Sequence, residues 1–195
     1  MSASSRHNDA AAELRMGQIA RREHRLDDAK SACTRAVNLA RYSGDTALLA
    51  ESIKFLGQIE RDLGDVDTSL QHYQEAAALI RSLNDPLRLA HTIRHIADIL
   101  RESGQAASAA PYYDEALILY RRNPSAPTLD VANMLRGLAL NKTDLGDREA
   151  AIALWQEAGA LYNQVWQEPG SPYKEADLAP GIVESQQQIA LLSAG

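Results

Sequence analysis

Two histidines and one aspartate lie at helical spacing near the middle of the chain. His91, His95 and Asp98 are four and three residues apart, so on a helix they share a face and could present ligands to zinc. The segment lacks the acidic neighbour of a His-Glu-x-x-His motif, and no thiol is nearby. Two histidines on a polar helix face are commonplace. We therefore predict no metal at this point.

The search for a nucleophile ends quickly. Cys33 is the single cysteine, and neither a Gly-x-Ser-x-Gly motif nor a Gly-rich phosphate loop occurs. We therefore predict that the protein is not an enzyme and takes no cofactor. One cysteine allows no disulfide within the chain, which favours a location in the reducing cytoplasm.

Composition excludes further classes of partner. A net charge of −6 and a pI near 5.4 disfavour binding to nucleic acid or to an anionic membrane surface. No apolar run reaches the roughly eighteen residues of a transmembrane helix. Residues 1–8 are polar and lack the apolar core of a secretory signal, so we predict a disordered N-terminal tail there.

A repeated turn reveals the elements that position these side chains. Asp62-Leu-Gly-Asp65, which we predict to end one helix and to cap the next, recurs as Asp144-Leu-Gly-Asp147. Aligning the chain on such turns gives units that start at Ala10, Ala50, Ala90 and Ala132, spaced by 40, 40 and 42 residues. Counting each start as position 1, positions 8, 20 and 27 are always small: Gly17, Gly57, Ala97, Ala139; Ala29, Ser69, Ala109, Ala151; Ala36, Ala76, Ala116, Ala158. Position 7 holds Met16, Leu56, Ile96 and Leu138, and position 24 holds Cys33, Tyr73, Tyr113 and Trp155. We predict that the large residues fill the gaps left by the small ones.

This pattern resembles the tetratricopeptide repeat, whose signature has small residues at positions 8, 20 and 27 and an aromatic residue at 24. The period of 40 exceeds the common period of about 34 and is similar to an extended subclass found in spindle-orientation adaptors, kinesin light chains and bacterial signalling proteins. Position 11, usually aromatic in the family, holds Ala20, Glu60, Leu100 and Lys142. Packing there is expected to be looser or differently filled.

The predicted fold is all-α: a right-handed α-solenoid of four tetratricopeptide-like helix pairs plus a C-terminal capping helix. The repeats should cover about 9–45, 46–85, 86–125 and 128–167, with a loop and the capping helix in 168–195. Helices are predicted at 9–24, 27–42, 46–63, 66–82, 86–103, 106–122, 128–145 and 148–167. Pro180-Gly181 either kinks the last helix or marks its start. In that helix, one face at helical spacing carries Leu178, Ile182, Ile189 and Leu192, and the polar residues Glu184, Gln187 and Gln188 lie elsewhere.

The resemblance implies a concave groove lined by positions 2, 5, 9 and 12 of each first helix. Those positions hold six cations against the carboxylates Glu51 and Asp98, a net charge of +4. We expect solvated side chains that bind a peptide or a partner helix with an acidic segment. The candidate groove residues are Gln18, Arg21, Lys54, Gln58, Arg61, His91, Arg94, Asp98, Arg101, Asn133 and Arg136.

An ordinary solvated face is the competing interpretation of these cations. The acidic residues at position 13, Asp62, Glu102 and Asp144, could pair with them. The predicted function is a non-catalytic scaffold for protein–protein interaction, as a monomer or weak homodimer. A peptide-sensing regulator, or a structural, self-associating module of a larger signalling protein, remains the alternative.

Overall fold

A computed structural model of the chain describes residues 3–170, 173 and 175–194. This part of the chain forms nine helices and no strand: α1 (Ala3–Arg22), α2 (Leu26–Ser43), α3 (Thr46–Asp62), α4 (Val66–Ser82), α5 (Pro86–Glu102), α6 (Ala106–Arg121), α7 (Thr128–Asp144), α8 (Arg148–Gln167) and α9 (Glu175–Ala194). Helices α2 to α8 begin and end within one residue of their predicted bounds. The pattern of apolar residues and turns was therefore sufficient to place them.

The two ends of the helical region differ from the prediction. Helix α1 begins at Ala3, so the tail predicted for residues 1–8 is helical from that residue onward, and Met1 and Ser2 lie outside the described residues. No glycine or proline occurs before Gly17 to interrupt the helix. Helix α9 passes through Pro180, so this proline does not mark the start of the helix.

The repeated Asp-Leu-Gly-Asp turns act as predicted, ending one helix and starting the next. Gly64 and Gly146 take φ values of +84° and +76°, a left-handed conformation that glycine adopts without a steric penalty. The aspartate that follows caps the next helix, since Asp65 accepts a hydrogen bond from the Thr68 backbone N–H at 3.1 Å. Asp147 does the same for the Ala150 N–H at 3.4 Å.

Small and large residues interlock between the two helices of a repeat. All twelve small positions are buried, and so are all four residues at position 24. A methyl group on Gly17 would overlap Cys33 Sγ, and one on Gly57 would lie 3.2 Å from the Tyr73 ring. Position 8 therefore faces position 24 of the same repeat, and the predicted interlocking is confirmed for these pairs.

Position 7 follows the prediction in three repeats and departs from it in the first. Leu56, Ile96 and Leu138 are buried, whereas Met16 is 56% exposed, so the prediction was wrong for Met16. The physical reason is that position 7 packs against the preceding repeat: Leu56 shares an apolar cluster with Ala36 and Val37 of α2. In the described part of the chain, no element precedes α1.

Position 11 is filled differently from the family pattern. Ala20 and Leu100 are buried apolar residues, as a core position requires. Glu60 is also buried, its side chain 3% exposed, and one carboxylate oxygen is 3.0 Å from Lys30 Nζ. A buried carboxylate is tolerated here because a cation on the neighbouring helix compensates its charge.

The chain divides into two compact units, Met1–Thr92 and Ile93–Gly195, with the boundary inside α5. The core of the first unit is one apolar cluster with residues from α1, α2, α3 and α4, among them Leu14, Ile53 and Ile59. In the second unit, α9 packs on α8, and Leu178 joins Tyr162 and Val165 in one apolar cluster. The amphipathic helix predicted after the fourth repeat therefore covers that repeat.

Candidate functional site

Two cations of the first unit converge on one carboxylate. Lys54 Nζ donates to Glu51 Oε2 at 2.9 Å, and Arg88 Nη2 donates to the same oxygen at 3.2 Å and to the Ala47 carbonyl at 3.2 Å. Asp85 Oδ2 is farther away, 3.9 Å from Arg88 Nε. Asp85 Oδ1 caps α5 by accepting a hydrogen bond from the Arg88 backbone N–H. We name Glu51, Lys54 and Arg88 the shared-carboxylate cluster.

This cluster is half-buried and contains two cations and one carboxylate. The Lys54 side chain is only 14% exposed. Burial acts to raise the pKa of Glu51, but Lys54 and Arg88 outweigh it and lower that pKa below its usual value. Arg88 was not among the predicted residues; its position three residues before His91, on the same face of α5, is the sequence signal that would have identified it.

Arg21 pairs with the position-13 acid of the next repeat. Its Nε and Nη2 donate to the two Asp62 oxygens at 2.5 and 3.3 Å, and its guanidinium lies 5.7 Å from the centre of the Phe55 ring. This is the pairing that the solvated-face interpretation expected. Four other groove candidates of the first unit are half-buried: Gln18, Gln58, Arg61 and His91.

A buried polar network forms around Asp98 in the second unit. Arg94 Nη1 donates to Asp98 Oδ2 at 3.0 Å, and the Tyr113 hydroxyl donates to Asp98 Oδ1 at 2.7 Å. Arg94 Nη2 also lies 3.0 Å from His95 Nε2. A side chain at Gly137 would displace this network, since an added Cβ would lie 2.8 Å from Tyr113 Cε1.

The expectation of solvated groove side chains was therefore wrong for Arg94, which is 13% exposed. Burial, reinforced by Asp98, also raises the pKa of Tyr113 above its ordinary value, so its hydroxyl stays protonated and donates. Arg94 also lies beside the Tyr120 hydroxyl and Arg101 beside the Tyr113 hydroxyl, so groups of the protein itself surround both guanidiniums.

The remaining groove candidates of the second unit are also engaged. Arg101 Nη1 lies 3.4 Å from Asp144 Oδ2, which repeats the pairing of Arg21 with Asp62. Asn133 Oδ1 accepts a hydrogen bond from the Tyr162 hydroxyl at 2.8 Å. The solvated-face interpretation predicted Asp144 as a partner of the groove cations, whereas Tyr162 was not predicted as the partner of Asn133.

The C-terminal helix supplies a carboxylate to the predicted groove. Arg136 Nη2 donates to Glu184 Oε1 at 2.9 Å and Arg136 Nε to Glu184 Oε2 at 2.5 Å, a two-pronged contact. Glu184 was assigned to the polar face of the capping helix and was missed as a groove residue. Helical periodicity gives the face of a residue but not the neighbour across from it.

Asp98, the acidic member of the His91, His95 and Asp98 set, is bonded to other side chains. His95 Nδ1 lies 3.6 Å from Asp98 Oδ2, while both oxygens of Asp98 are bonded to Arg94 and Tyr113. Within residues 3–170, 173 and 175–194, no group of three His, Cys, Asp or Glu side chains is arranged to hold a metal ion.

Across the same residues, no helix is both long and apolar enough to span a bilayer.

The sequence profile of the tetratricopeptide repeat matches residues 8–82 and 86–164, most of the chain. The chain belongs to the tetratricopeptide repeat family. No curated protein matches it. Repeats of this family generally mediate protein–protein interaction, and its members are typically non-catalytic.

Two solved structures resemble the tetratricopeptide array in fold. BtubC (BKLC) from P. vanneervenii is 17% identical, with a TM-score of 0.63 over 97% of this chain and 87% of the other. A variant of a putative kinesin light chain with nearly identical repeats, from Podospora anserina, is 12% identical, with a TM-score of 0.70 over 93% and 84%. At this identity the likeness concerns the fold alone, and the predicted fold class, an all-α solenoid of helix pairs, is confirmed.

Proposed function

We propose that this tetratricopeptide array is a non-catalytic interaction module that binds an acidic segment of a partner protein at the first helices of its first unit. The observation that supports this most strongly is the shared-carboxylate cluster. Lys54 and Arg88 are both within hydrogen-bond distance of Glu51 Oε2, so two cations share one carboxylate oxygen, and Arg88 also donates to the Ala47 carbonyl. A partner carboxylate would give each cation a carboxylate of its own.

The contact between Arg136 and Glu184 supports the same chemistry. There, an arginine at position 5 of a first helix holds the carboxylate of another helix in a two-pronged contact. Lys54 occupies position 5 in the second repeat. A helix or peptide with a suitably placed Asp or Glu side chain would use Lys54 in the way that α9 uses Arg136.

The site for this segment is centred on the first unit. In the second unit, Arg94, Arg101 and Arg136 already contact Asp98, Asp144 and Glu184, so an incoming carboxylate would have to exchange with one of these. Exchange offers little net electrostatic gain, because one ion pair replaces another. The shared-carboxylate cluster requires no exchange.

The test uses a helical peptide with Glu at every fourth position and a matched peptide with Gln at those positions. Binding is measured by fluorescence anisotropy, and the contacted residues by NMR chemical-shift changes. We expect the Glu peptide to bind, to shift the resonances of Lys54 and Arg88, and to weaken with salt, because exposed charges are screened beyond about 10 Å at 0.1 M ionic strength. Equal binding of the Gln peptide would contradict the proposal.

A neutral triple variant removes all three charges of the cluster: Glu51→Gln with Lys54→Gln and Arg88→Gln. Asp85 keeps its hydrogen bond to the backbone N–H of residue 88. The matched control removes an exposed ion pair of the same unit, Arg41→Gln with Glu75→Gln, whose partners are 2.8 Å apart. The triple variant should lose the Glu peptide and the control should keep it. Retention by the triple variant, with its fold intact by circular dichroism, would reject the assigned site.

The remaining features of the proposal are a location in the reducing cytoplasm, a monomer or weak homodimer, and no binding to nucleic acid or membrane. The single thiol, that of Cys33, is buried, which is compatible with a reducing compartment. A chain of net charge −6 supports a partner other than nucleic acid.

A further inference from the structure

The carboxylate of Glu51 remains beside any acid that binds the shared-carboxylate cluster. Lys54 Nζ and Arg88 Nη2 lie 2.9 and 3.2 Å from Glu51 Oε2. Cationic N–H donors hold an anionic oxygen at about 2.7 to 2.9 Å. A ligand oxygen that accepts from either of these two nitrogens therefore lies no farther than about 6 Å from Glu51 Oε2. At that distance the charge of the ligand and the charge of Glu51 repel each other.

The two carboxylates at this site leave little of the cationic charge uncompensated. Burial acts to raise the pKa of Glu51, but Lys54 and Arg88 lower that pKa below its usual value, so Glu51 is ionised at neutral pH. Glu51 offsets one of the two cations. Asp85, whose Oδ2 lies 3.9 Å from Arg88 Nε, offsets part of the other. The cluster therefore offers a ligand only a small positive potential.

A small positive potential favours a ligand with one negative charge over a ligand with two. Attraction to the site grows in proportion to the charge of the ligand. The free-energy cost of withdrawing an ion from water grows as the square of that charge, and the cost matters here because the Lys54 side chain is only 14% exposed. A carboxylate carries one negative charge, whereas phosphoserine or phosphothreonine carries about 1.5 to 2 at pH 7.

We propose that Glu51 makes this cluster selective for carboxylates over phosphates. This inference rests on the proposed function, because it concerns the acidic segment that binds at Lys54 and Arg88. A partner segment binds through Asp or Glu, and a phosphoserine or phosphothreonine in the same place binds more weakly. Glu51 thereby excludes phosphorylated segments that the two cations alone would attract.

The probes are two helical peptides with Gln at every fourth position and one central acid, which is Glu in one peptide and phosphoserine in the other. Each is titrated into the full chain at about pH 7.5, above the second phosphate pKa of about 6. Dissociation constants are taken from the NMR chemical shifts of Lys54 and Arg88. We expect the phosphoserine peptide to bind about tenfold more weakly than the Glu peptide. This comparison uses the wild-type chain and does not depend on how a substitution affects folding.

Two variants with the same change in net charge assign the preference to Glu51. In Glu51→Gln, the phosphoserine peptide should bind at least as tightly as the Glu peptide, because the neighbouring negative charge is gone. The matched control is Glu75→Gln, which removes a carboxylate of the same unit that pairs with Arg41 at 2.8 Å. This control should keep the wild-type preference for the Glu peptide.

The outcomes separate this inference from the proposed function. If the wild-type chain binds both peptides at Lys54 and Arg88 and the phosphoserine peptide binds equally or more tightly, the acidic-segment site stands and the selectivity is wrong. An unchanged preference in Glu51→Gln would also overturn the role of Glu51. If neither peptide shifts the resonances of Lys54 and Arg88, both the proposed function and the selectivity are wrong.

Discussion

The pairing of position 8 with position 24 leads to a quantitative prediction for Gly17 and Cys33. Gly17→Ala places a methyl group in overlap with Cys33 Sγ, 3.2 Å from the Ala29 carbonyl oxygen and 3.5 Å from Cys33 N. In a helix interior, alanine is favoured over glycine by about 1 kcal/mol. Overpacking a buried site destabilises by about 1 to 3 kcal/mol. The single variant should therefore lose about 0 to 2 kcal/mol of unfolding free energy.

The second variant, Cys33→Ala, removes the overlapping atom. Alone it leaves a small void and should destabilise by about 1 kcal/mol, close to the loss of one buried methylene group. In the double variant, the methyl group on residue 17 occupies the space vacated by the sulfur. Alanine already occupies position 8 in two repeats, as Ala97 and Ala139, so the backbone geometry accepts it. We expect the double variant to be close to wild type, with a coupling energy of about 1 to 3 kcal/mol.

Urea unfolding followed by circular dichroism measures each free energy. The control cycle combines Gly17→Ala with Thr34→Ala, an exposed neighbour of Cys33, and should be additive. If Gly17→Ala and Cys33→Ala were also additive to within about 0.5 kcal/mol, positions 8 and 24 would not share space and the repeat register would be wrong.

Three further predictions use other buried groups. Ala76→Leu, at a fully buried position 27, should destabilise by about 1 to 3 kcal/mol, measured as a shift of the urea midpoint. Burial raises the pKa of the Cys33 thiol to about 12, so alkylation at pH 8 should be very slow in the native protein and fast in urea; rapid native labelling would contradict its burial. Burial also lowers the pKa of His72 below its usual value of about 6.5. The contribution of the neutral His72 side chain to stability is therefore complete above that pH and is lost as pH falls. His72→Gln should flatten the decline in unfolding free energy between about pH 7 and 5. An unchanged slope would contradict the lowered pKa.

The predictable part of the fold rested on local signals. Asp65 and Asp147 were recognised as helix caps and Gly64 and Gly146 as turn residues because their roles depend on backbone conformation within a few residues. The helix bounds followed from these residues. The extent of α1 was missed because a polar composition suggested a disordered tail, although that segment contains no residue that stops a helix.

The candidate site was only half predictable. The periodic pattern located Lys54, Arg94 and Arg136 in one row, and all three are charged side chains of first helices. It did not indicate that Arg94 is buried beside Tyr113, because that burial depends on the absence of a side chain at Gly137, two helices later in the chain. Neither did it identify Glu184 as the partner of Arg136, since the two residues are separated by 48 positions.

The sequence by itself determined the repeat, its register and the family, because small and large residues recur with the period of one helix pair. Only the tertiary structure decided which cations are shared, paired or buried, since a partner such as Arg88 for Glu51 comes from another helix. It also showed that Met16 is exposed and Leu56 is buried, although both occupy position 7 of a repeat. The physical reason is that a side chain is buried only where a neighbouring helix covers it. A periodic sequence gives two residues the same position without indicating which of them has such a neighbour.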